Sequence, residues 1–127
     1  MTDEELLALF HFDLPVWVLS DMAVDVGKHG FIGSVVLVRS ASHGQSMMLF
    51  TEAETAEAYV RGSGRPNWAI APLDDWLQLE VILTSLTPIG LDHVCIDHPP
   101  LDRSERYRAI FHKPDLLLGY VRSRKAR

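Results

Sequence analysis

The spacing of hydrophobic and polar residues along the chain predicts a succession of strands and helices. Alternating or short continuous apolar segments are typical of strands, and apolar residues three or four positions apart are typical of helices. The predicted strands are residues 15–20, 31–39, 45–50, 68–72 and 93–97, and the predicted helices are residues 3–11, 52–61, 74–86 and 104–111. This order of elements indicates an α+β fold, with a mixed, mostly antiparallel sheet and helices packed on one or both faces.

Short polar motifs mark the ends of the predicted helices. Thr2 with Glu5, and Thr51 with Glu54, have the spacing of capping boxes, in which each side chain satisfies a free backbone N–H at the helix start. Gly62 stands where a helix C-cap is expected. We therefore predict that two helices begin beside the threonines and that the second one ends at Gly62.

Turn signals connect and end the predicted strands. Residues 40–44 contain a glycine and have the length of a hairpin loop, so the strands at 31–39 and 45–50 should pair antiparallel. Pro72 should end the strand at 68–72, because proline cannot donate a hydrogen bond to a neighbouring strand.

Two segments fit more than one kind of structure. Residues 74–86 show both the alternation of a strand and the stripe of a helix, but their length and the aspartates at their start favour a helix. Residues 116–121 fit a last strand or a helical turn, and the sequence does not decide between them.

Composition places the chain among ordinary globular proteins. It has 127 residues, of which 47% are hydrophobic and 23% charged. This is the size of one domain, so we predict a single α+β domain over residues 1–127. The single cysteine excludes an intramolecular disulfide and suits a reducing compartment. An acidic N-terminus without a signal peptide, and the lack of a long apolar run, predict a cytoplasmic protein with no membrane partner.

Charge is distributed unevenly along the chain, whose net charge is −5. Residues 1–100 hold 14 acidic and 4 basic residues, whereas residues 101–127 hold 3 acidic and 8 basic ones. Residues 122–127 form a basic tail that could bind nucleic acid, an acidic partner or the acidic body of its own chain. A frayed, flexible terminus is the simplest interpretation. The negative charge of the body disfavours a nucleic-acid partner.

Several segments together resemble a known family. They are the strand and helix MMLFTEAETAEAYV at 47–60, the strand NWAIAP, the helix from Asp74 and the closing strand GLDHVCIDHPP. Over about residues 31–100 the chain resembles the N-terminal domain of the bacterial SseB-like family (enhanced serine sensitivity protein B). In that family the closing strand usually ends in Asn-Pro, whereas here Ile96-Asp97-His98-Pro99 stands in its place. The resemblance implies an α+β fold and no catalytic residues.

The stretch LDHVCIDHPP, residues 91–100, holds the only cysteine and several acid–base groups. Cys95 with His93 or His98 would be the nucleophile and base of a small hydrolase or transferase. On a regular strand His93, Cys95 and Asp97 share one face, while His98 points to the other. Residues four apart on a strand are about 13 Å apart, too far for Asp97 to orient His93 as a catalytic triad requires. We therefore predict no catalytic residues and keep the enzyme as the alternative hypothesis.

Neither a metal site nor a phosphate site is predicted. His93 and Cys95 could offer two ligands, but zinc needs a third and usually a fourth. The loop RGSGR at 61–65 has the glycines and arginines of a phosphate-binding loop, yet it follows a helix and precedes a strand, the reverse of the usual order. A helix C-cap explains its glycines, and we expect no cofactor.

Aromatic and basic side chains supply the candidate contact residues. Trp68 and Trp76 lie beside apolar segments, where they either pack in the core or anchor a partner. Arg106 and Arg108 would form a basic face on the helix predicted at 104–111, as a contact surface or as a solvated one.

The leading functional hypothesis is a small cytoplasmic, non-catalytic domain. It would act through protein–protein interaction in an accessory or regulatory role, with a partner that the sequence does not identify. Exposed strand edges are also compatible with a homodimer.

Overall fold

The computed structural model describes residues 2–21, 35–65, 67–99 and 109–126. The helices are α1 (Asp3–Leu9), α2 (Ala53–Ser63), α3 (Trp76–Leu86) and α4 (Pro114–Lys125), with a 3-10 turn at Thr87–Ile89. The strands are β1 (Val16–Ser20), β2 (Leu37–Ser40), β3 (Gly44–Phe50), β4 (Ala69–Leu73), β5 (His93–Ile96) and β6 (Phe111–His112). Residues 31–34 of a predicted strand and 104–108 of a predicted helix, with Arg106 and Arg108, lie outside the described residues.

The strands of the described ranges form one mixed sheet. Its order is β4, β1, β3, β5, β6, and β2 pairs with β3 beside the end of β1. β3 and β5 run parallel, and the other neighbours are antiparallel. β2 and β3 form the expected hairpin, with Leu37 opposite Met47 and Ser40 opposite Gly44. The predicted α+β class, with a mostly antiparallel sheet, is confirmed.

The two-residue repeat of the strands places apolar side chains in a hydrophobic core on each face of the sheet. In β3, Met47 and Leu49 enter one core, while Met48 and Phe50 enter the other. Helices α1, α3 and α4 cover the first core, and α2 covers the second. None of the described helices has the length and apolar composition to cross a membrane.

The starts of α1 and α3 follow the sequence signals. Thr2 Oγ1 accepts the Glu5 N–H at 3.2 Å, as a capping residue does. Asp75 Oδ1 accepts the Leu77 N–H at 2.9 Å and so begins α3. The helical interpretation of residues 74–86 is confirmed from Trp76 onwards.

The ends of α2 differ from the prediction. Its N-cap residue is Glu52, and Thr51 does not cap the helix, because its hydroxyl donates to the Asp97 carboxylate at 2.7 Å. The predicted C-cap at Gly62 is also wrong. Glycine inside a helix costs only about 1 kcal/mol, and α2 continues through it to Gly64, whose φ of 68° is left-handed.

Three other differences have simple physical reasons. β4 continues through Pro72 to Leu73, because β4 is an edge strand, where a missing N–H is tolerated. Phe111 belongs to β6, where it pairs with Cys95, and not to a helix. Pro114 begins α4, because proline suits the first turn of a helix, and residues 116–121 are therefore helical.

The basic residues near the C-terminus are held against the body of the protein. Arg122 Nε lies 3.0 Å from Glu80 Oε2, and Lys125 Nζ lies 2.5 Å from Glu80 Oε1. Arg124 pairs with Asp13 at 3.1 Å. Residues up to Lys125 thus form the last turn of α4. Of the contacts considered for the tail, the one with the acidic body of its own chain is observed.

The Glu80 contacts predict a salt- and pH-dependent stability. Hydrogen bonds from Lys125 and then Arg122 lower the pKa of Glu80. The stability that these pairs add is therefore fully present above the pKa that Glu80 has in the unfolded chain. It is lost as the pH falls through the lower pKa that Glu80 has in the folded protein. We expect Glu80→Gln to lower Tm at neutral pH and low salt, and the difference from the native protein to shrink at high salt and at acid pH. Glu57→Gln, at an exposed position in the middle of α2, is the matched control. A Glu80→Gln difference that salt and pH leave unchanged would contradict the pairing.

Candidate functional site

The two aspartates of LDHVCIDHPP tie both ends of β5 to β3. At one end, Asp92 Oδ2 accepts the Gln45 N–H at 2.9 Å. At the other end, Asp97 accepts two hydrogen bonds from Thr51, one from the N–H at 2.8 Å and one from the hydroxyl at 2.7 Å. These contacts hold the parallel register in which Cys95 lies beside Met48. The carboxylates of this stretch therefore act on the neighbouring strand and do not orient a histidine.

Cys95 is buried in the core that α2 covers. Its side chain has no exposed surface, and it lies between Met48 of β3 and Phe111 of β6. Burial, and then the charge of Asp97, raise the pKa of Cys95 to about 12. A thiol with this pKa is almost entirely protonated at neutral pH, and the thiolate is the reactive form. These properties argue against Cys95 as a catalytic nucleophile.

The histidines beside Cys95 are bound to backbone carbonyls. His93 Nδ1 donates to the His43 carbonyl at 2.7 Å, and His98 Nδ1 donates to the Pro99 carbonyl at 2.7 Å, since a carbonyl oxygen can only accept. Within the described residues, no group of three histidine, cysteine or acidic side chains is arranged to hold a metal ion.

His98 points to a different face from the one predicted. The extended repeat ends at Asp97, whose φ of 56° is left-handed. The His98 ring therefore turns towards the side of Cys95, where it lies edge-on to Tyr59 at 5.4 Å. A one-residue break of this kind is invisible to an alternation pattern, although aspartate is among the residues that tolerate it.

The two candidate tryptophans lie on opposite faces of the sheet. Trp76, at the start of α3, packs between Phe12 and Tyr120 in the first core, with Arg124 over its ring at 5.3 Å. Trp68 packs at the edge of the second core. They therefore do not belong to one continuous contact surface, and Trp68 lines a cavity.

Trp68 lies in a groove between the C-terminal half of α2 and the edge strand β4. Two cavities of about 240 and 480 Å³ share Val60 and Arg61 and together form this α2–β4 groove. Its lining residues are Glu57, Val60, Arg61, Gly64, Arg65, Trp68, Ala69 and Ile70. Val60, Trp68 and Ile70 are partly buried and give the groove an apolar floor.

Two arginines frame the α2–β4 groove. The Arg65 guanidinium lies 5.9 Å from the centre of the Trp68 ring, within reach of a cation–π contact. Arg61 and Arg65 are exposed, and neither has a carboxylate partner within the described parts of the chain. Both arginines belong to the RGSGR segment at 61–65, whose sequence predicts a helix C-cap loop and no connection to Trp68.

A separate cavity lies at the carboxyl ends of the parallel strands β3 and β5. This strand-end cleft has a volume of about 300 Å³. It is lined by Leu9, Phe10, His11, Phe12, Thr51, Ile96, Asp97, Ala109, Ile110 and His112. Its residues come from four separate segments, so no local motif could have predicted it.

The function of the site has to be inferred from its own residues, because the comparisons with known proteins give no match. No protein-family model matches the sequence, and a search of the curated proteins finds no significant match.

Proposed function

We propose that this protein is a non-catalytic interaction domain that binds an acidic, apolar-containing segment of a partner protein in the α2–β4 groove. The observation that carries the proposal is a partly exposed tryptophan beside an apolar floor, framed by two arginines that pair with no carboxylate of the described residues. An extended segment can place apolar side chains on Trp68 and Val60, while its carboxylates pair with Arg61 and Arg65.

The charge of the groove favours an acidic partner. Desolvating an arginine is costly unless an opposite charge replaces the lost water, and no acidic side chain of the described residues does so for Arg61 or Arg65. Arginine and tryptophan are also the residues that most often dominate binding energy at protein interfaces.

A peptide is favoured over a nucleic acid. The chain carries a net charge of −5, and Glu57 lies in the groove itself. A polyphosphate backbone would meet this negative field along its whole length, whereas a short peptide can place its carboxylates beside the arginines alone.

The state of Cys95 supports a role without catalysis. It is buried, and burial raises the pKa of its thiol to about 12, which supports a role without catalysis over the hydrolase or transferase alternative. A buried free thiol also suits the reducing cytoplasm, which we propose as the compartment. Membership of the SseB-like family stays a prediction.

Fluorescence anisotropy tests the proposal with a short labelled peptide in which aspartate alternates with leucine. We expect saturable binding that weakens with salt, and no binding of the matching peptide with lysine in place of aspartate. The double variant Arg61→Glu/Arg65→Glu should lower the affinity by about tenfold or more, because two attractions become repulsions.

The matched control is Arg39→Glu, which reverses an exposed arginine of β2 outside the groove and should leave the affinity unchanged. An equal loss of binding free energy per reversed arginine in the control and in the double variant would show that the peptide responds only to net charge. Tighter binding of a single-stranded oligonucleotide than of the acidic peptide would also overturn the proposal.

A further inference from the structure

We propose that the strand-end cleft binds a small organic cation, in which a primary ammonium group lies beside an apolar or aromatic body. The cleft shares no lining residue with the α2–β4 groove, so this inference is independent of the proposed interaction with a peptide.

The position of the cleft is one at which sheets commonly hold ligands. β3 and β5 are parallel neighbours, and the cleft lies where both strands end, at Thr51 and Asp97. Ligands of open α/β sheets bind outside the carboxyl ends of such strands, because the chain departs there and leaves a crevice. A volume of about 300 Å³ is at the lower end of the range for small-molecule sites.

Asp97 supplies a negative charge with unused capacity to accept hydrogen bonds. Its carboxylate accepts the N–H and the hydroxyl of Thr51, which occupies two of the roughly four lone-pair sites of a carboxylate. Asp97 is exposed, so the remaining sites face the cleft and solvent. The two Thr51 hydrogen bonds also fix its orientation before any ligand binds, which lowers the entropic cost of binding.

His112 supplies a second acceptor in the cleft. Its side chain has no hydrogen-bond partner within the described residues, and its ring lies 4.8 Å from that of Phe10. Burial lowers the pKa of His112, so the ring is neutral at neutral pH and one of its nitrogens can accept a hydrogen bond. Together with Asp97 it offers acceptors to an ammonium group, and no lysine or arginine of the described residues lines the cleft.

The rest of the cleft is suited to an apolar body. Phe10, Phe12 and Ile96 form its inner wall, and Ile110 lies at its rim with 66% of its surface exposed. An aromatic wall also attracts a cation through its ring faces. A ligand with an ammonium group and a short hydrocarbon body therefore satisfies both parts of the lining.

Titration of the 15N-labelled full chain, followed by NMR, tests the proposal with phenethylamine as the probe. We expect saturable shifts of the amides of Thr51, Asp97 and His112. Phenylethanol should bind much more weakly and phenylpropionate not at all, because neither carries the positive charge. Equal binding of the amine and the alcohol, or no saturable shift with the amine, would overturn the inference.

Variants of two aspartates complete the test. Asp97→Asn keeps an acceptor for the Thr51 N–H and tolerates a left-handed backbone, so it should fold, yet it should weaken amine binding by about tenfold or more. Asp92→Asn makes the same change at the other end of β5, outside the cleft, and should bind the amine like the native protein. His112→Phe keeps the contact with Phe10 and removes the ring nitrogens, and it should also weaken binding. Unchanged binding in both Asp97→Asn and His112→Phe would refute the assigned roles.

Discussion

We expect Cys95 in the folded protein to react with a maleimide at least about a thousandfold more slowly than in the unfolded chain. Burial, and then the charge of Asp97, raise the pKa of this thiol to about 12, so its thiolate is far scarcer at neutral pH than that of an exposed cysteine. Its side chain is also fully buried, which further limits access of the reagent.

Mass spectrometry of quenched samples measures the reaction, and the single cysteine makes each labelled chain unambiguous. The control is Cys95→Ala/Ser42→Cys, which places the thiol at an exposed turn position and should react at the rate of the unfolded chain. A folded native protein that labels as fast as this control would have a reactive cysteine, and the hydrolase or transferase hypothesis would then lead.

The second large effect concerns the end of β5. We expect Asp97→Ala to lower the free energy of unfolding by about 2 to 3 kcal/mol. The variant loses the hydrogen bonds from Thr51, and it forces alanine into a left-handed backbone conformation, where φ is 56° in the native chain. Both costs arise at one residue and add to one another.

Two further substitutions separate these costs. Asp97→Gly relieves the backbone strain but lacks the carboxylate. Its free energy of unfolding should therefore lie between those of Asp97→Ala and the native protein. Asp97→Asn keeps both an acceptor and tolerance of the left-handed region, and should cost less than about 1 kcal/mol. Urea unfolding gives the order, which we expect to be Asp, Asn, Gly, Ala from most to least stable. Equal stability of the native protein and the three variants would mean that Asp97 does not tie β5 to β3.

Much of the fold follows from patterns that are local in sequence. In β1, β3 and the start of β5, alternating side chains enter the two cores as a period of two requires. Thr2 and Asp75 cap helices because their side chains act on N–H groups only a few residues away. Such signals lie within one turn or one strand and can be found without a structure.

The departures from prediction come from contacts between distant segments. Thr51 has the sequence context of a capping box, but its hydroxyl donates a hydrogen bond to a carboxylate 46 residues away. Phe111 fits a helical pattern, yet the open side of β5 beside Cys95 makes it a strand residue. His98 turns with the backbone of Asp97, which no periodic pattern anticipates. In each case a tertiary partner outweighs the local preference.

The candidate sites likewise depend on contacts between segments that are distant in sequence. Arg61, Arg65 and Trp68 are near one another in sequence, but whether they form a groove depends on α2 lying beside the edge strand β4. The strand-end cleft joins residues from both ends of the chain and its middle. Candidate residues can therefore be identified from the sequence, but their grouping into surfaces depends on the tertiary fold.

The most direct test of peptide binding in the α2–β4 groove follows the indole N–H signals of the tryptophans by NMR during titration with the aspartate–leucine peptide. Trp68 lines the groove, whereas Trp76 lies on the opposite face of the sheet between Phe12 and Tyr120. We expect the Trp68 indole and the amides of Arg61 and Arg65 to shift saturably, with the Trp76 indole unmoved. Saturable shifts at Trp76 that leave Trp68 unchanged would place the peptide elsewhere and contradict the account.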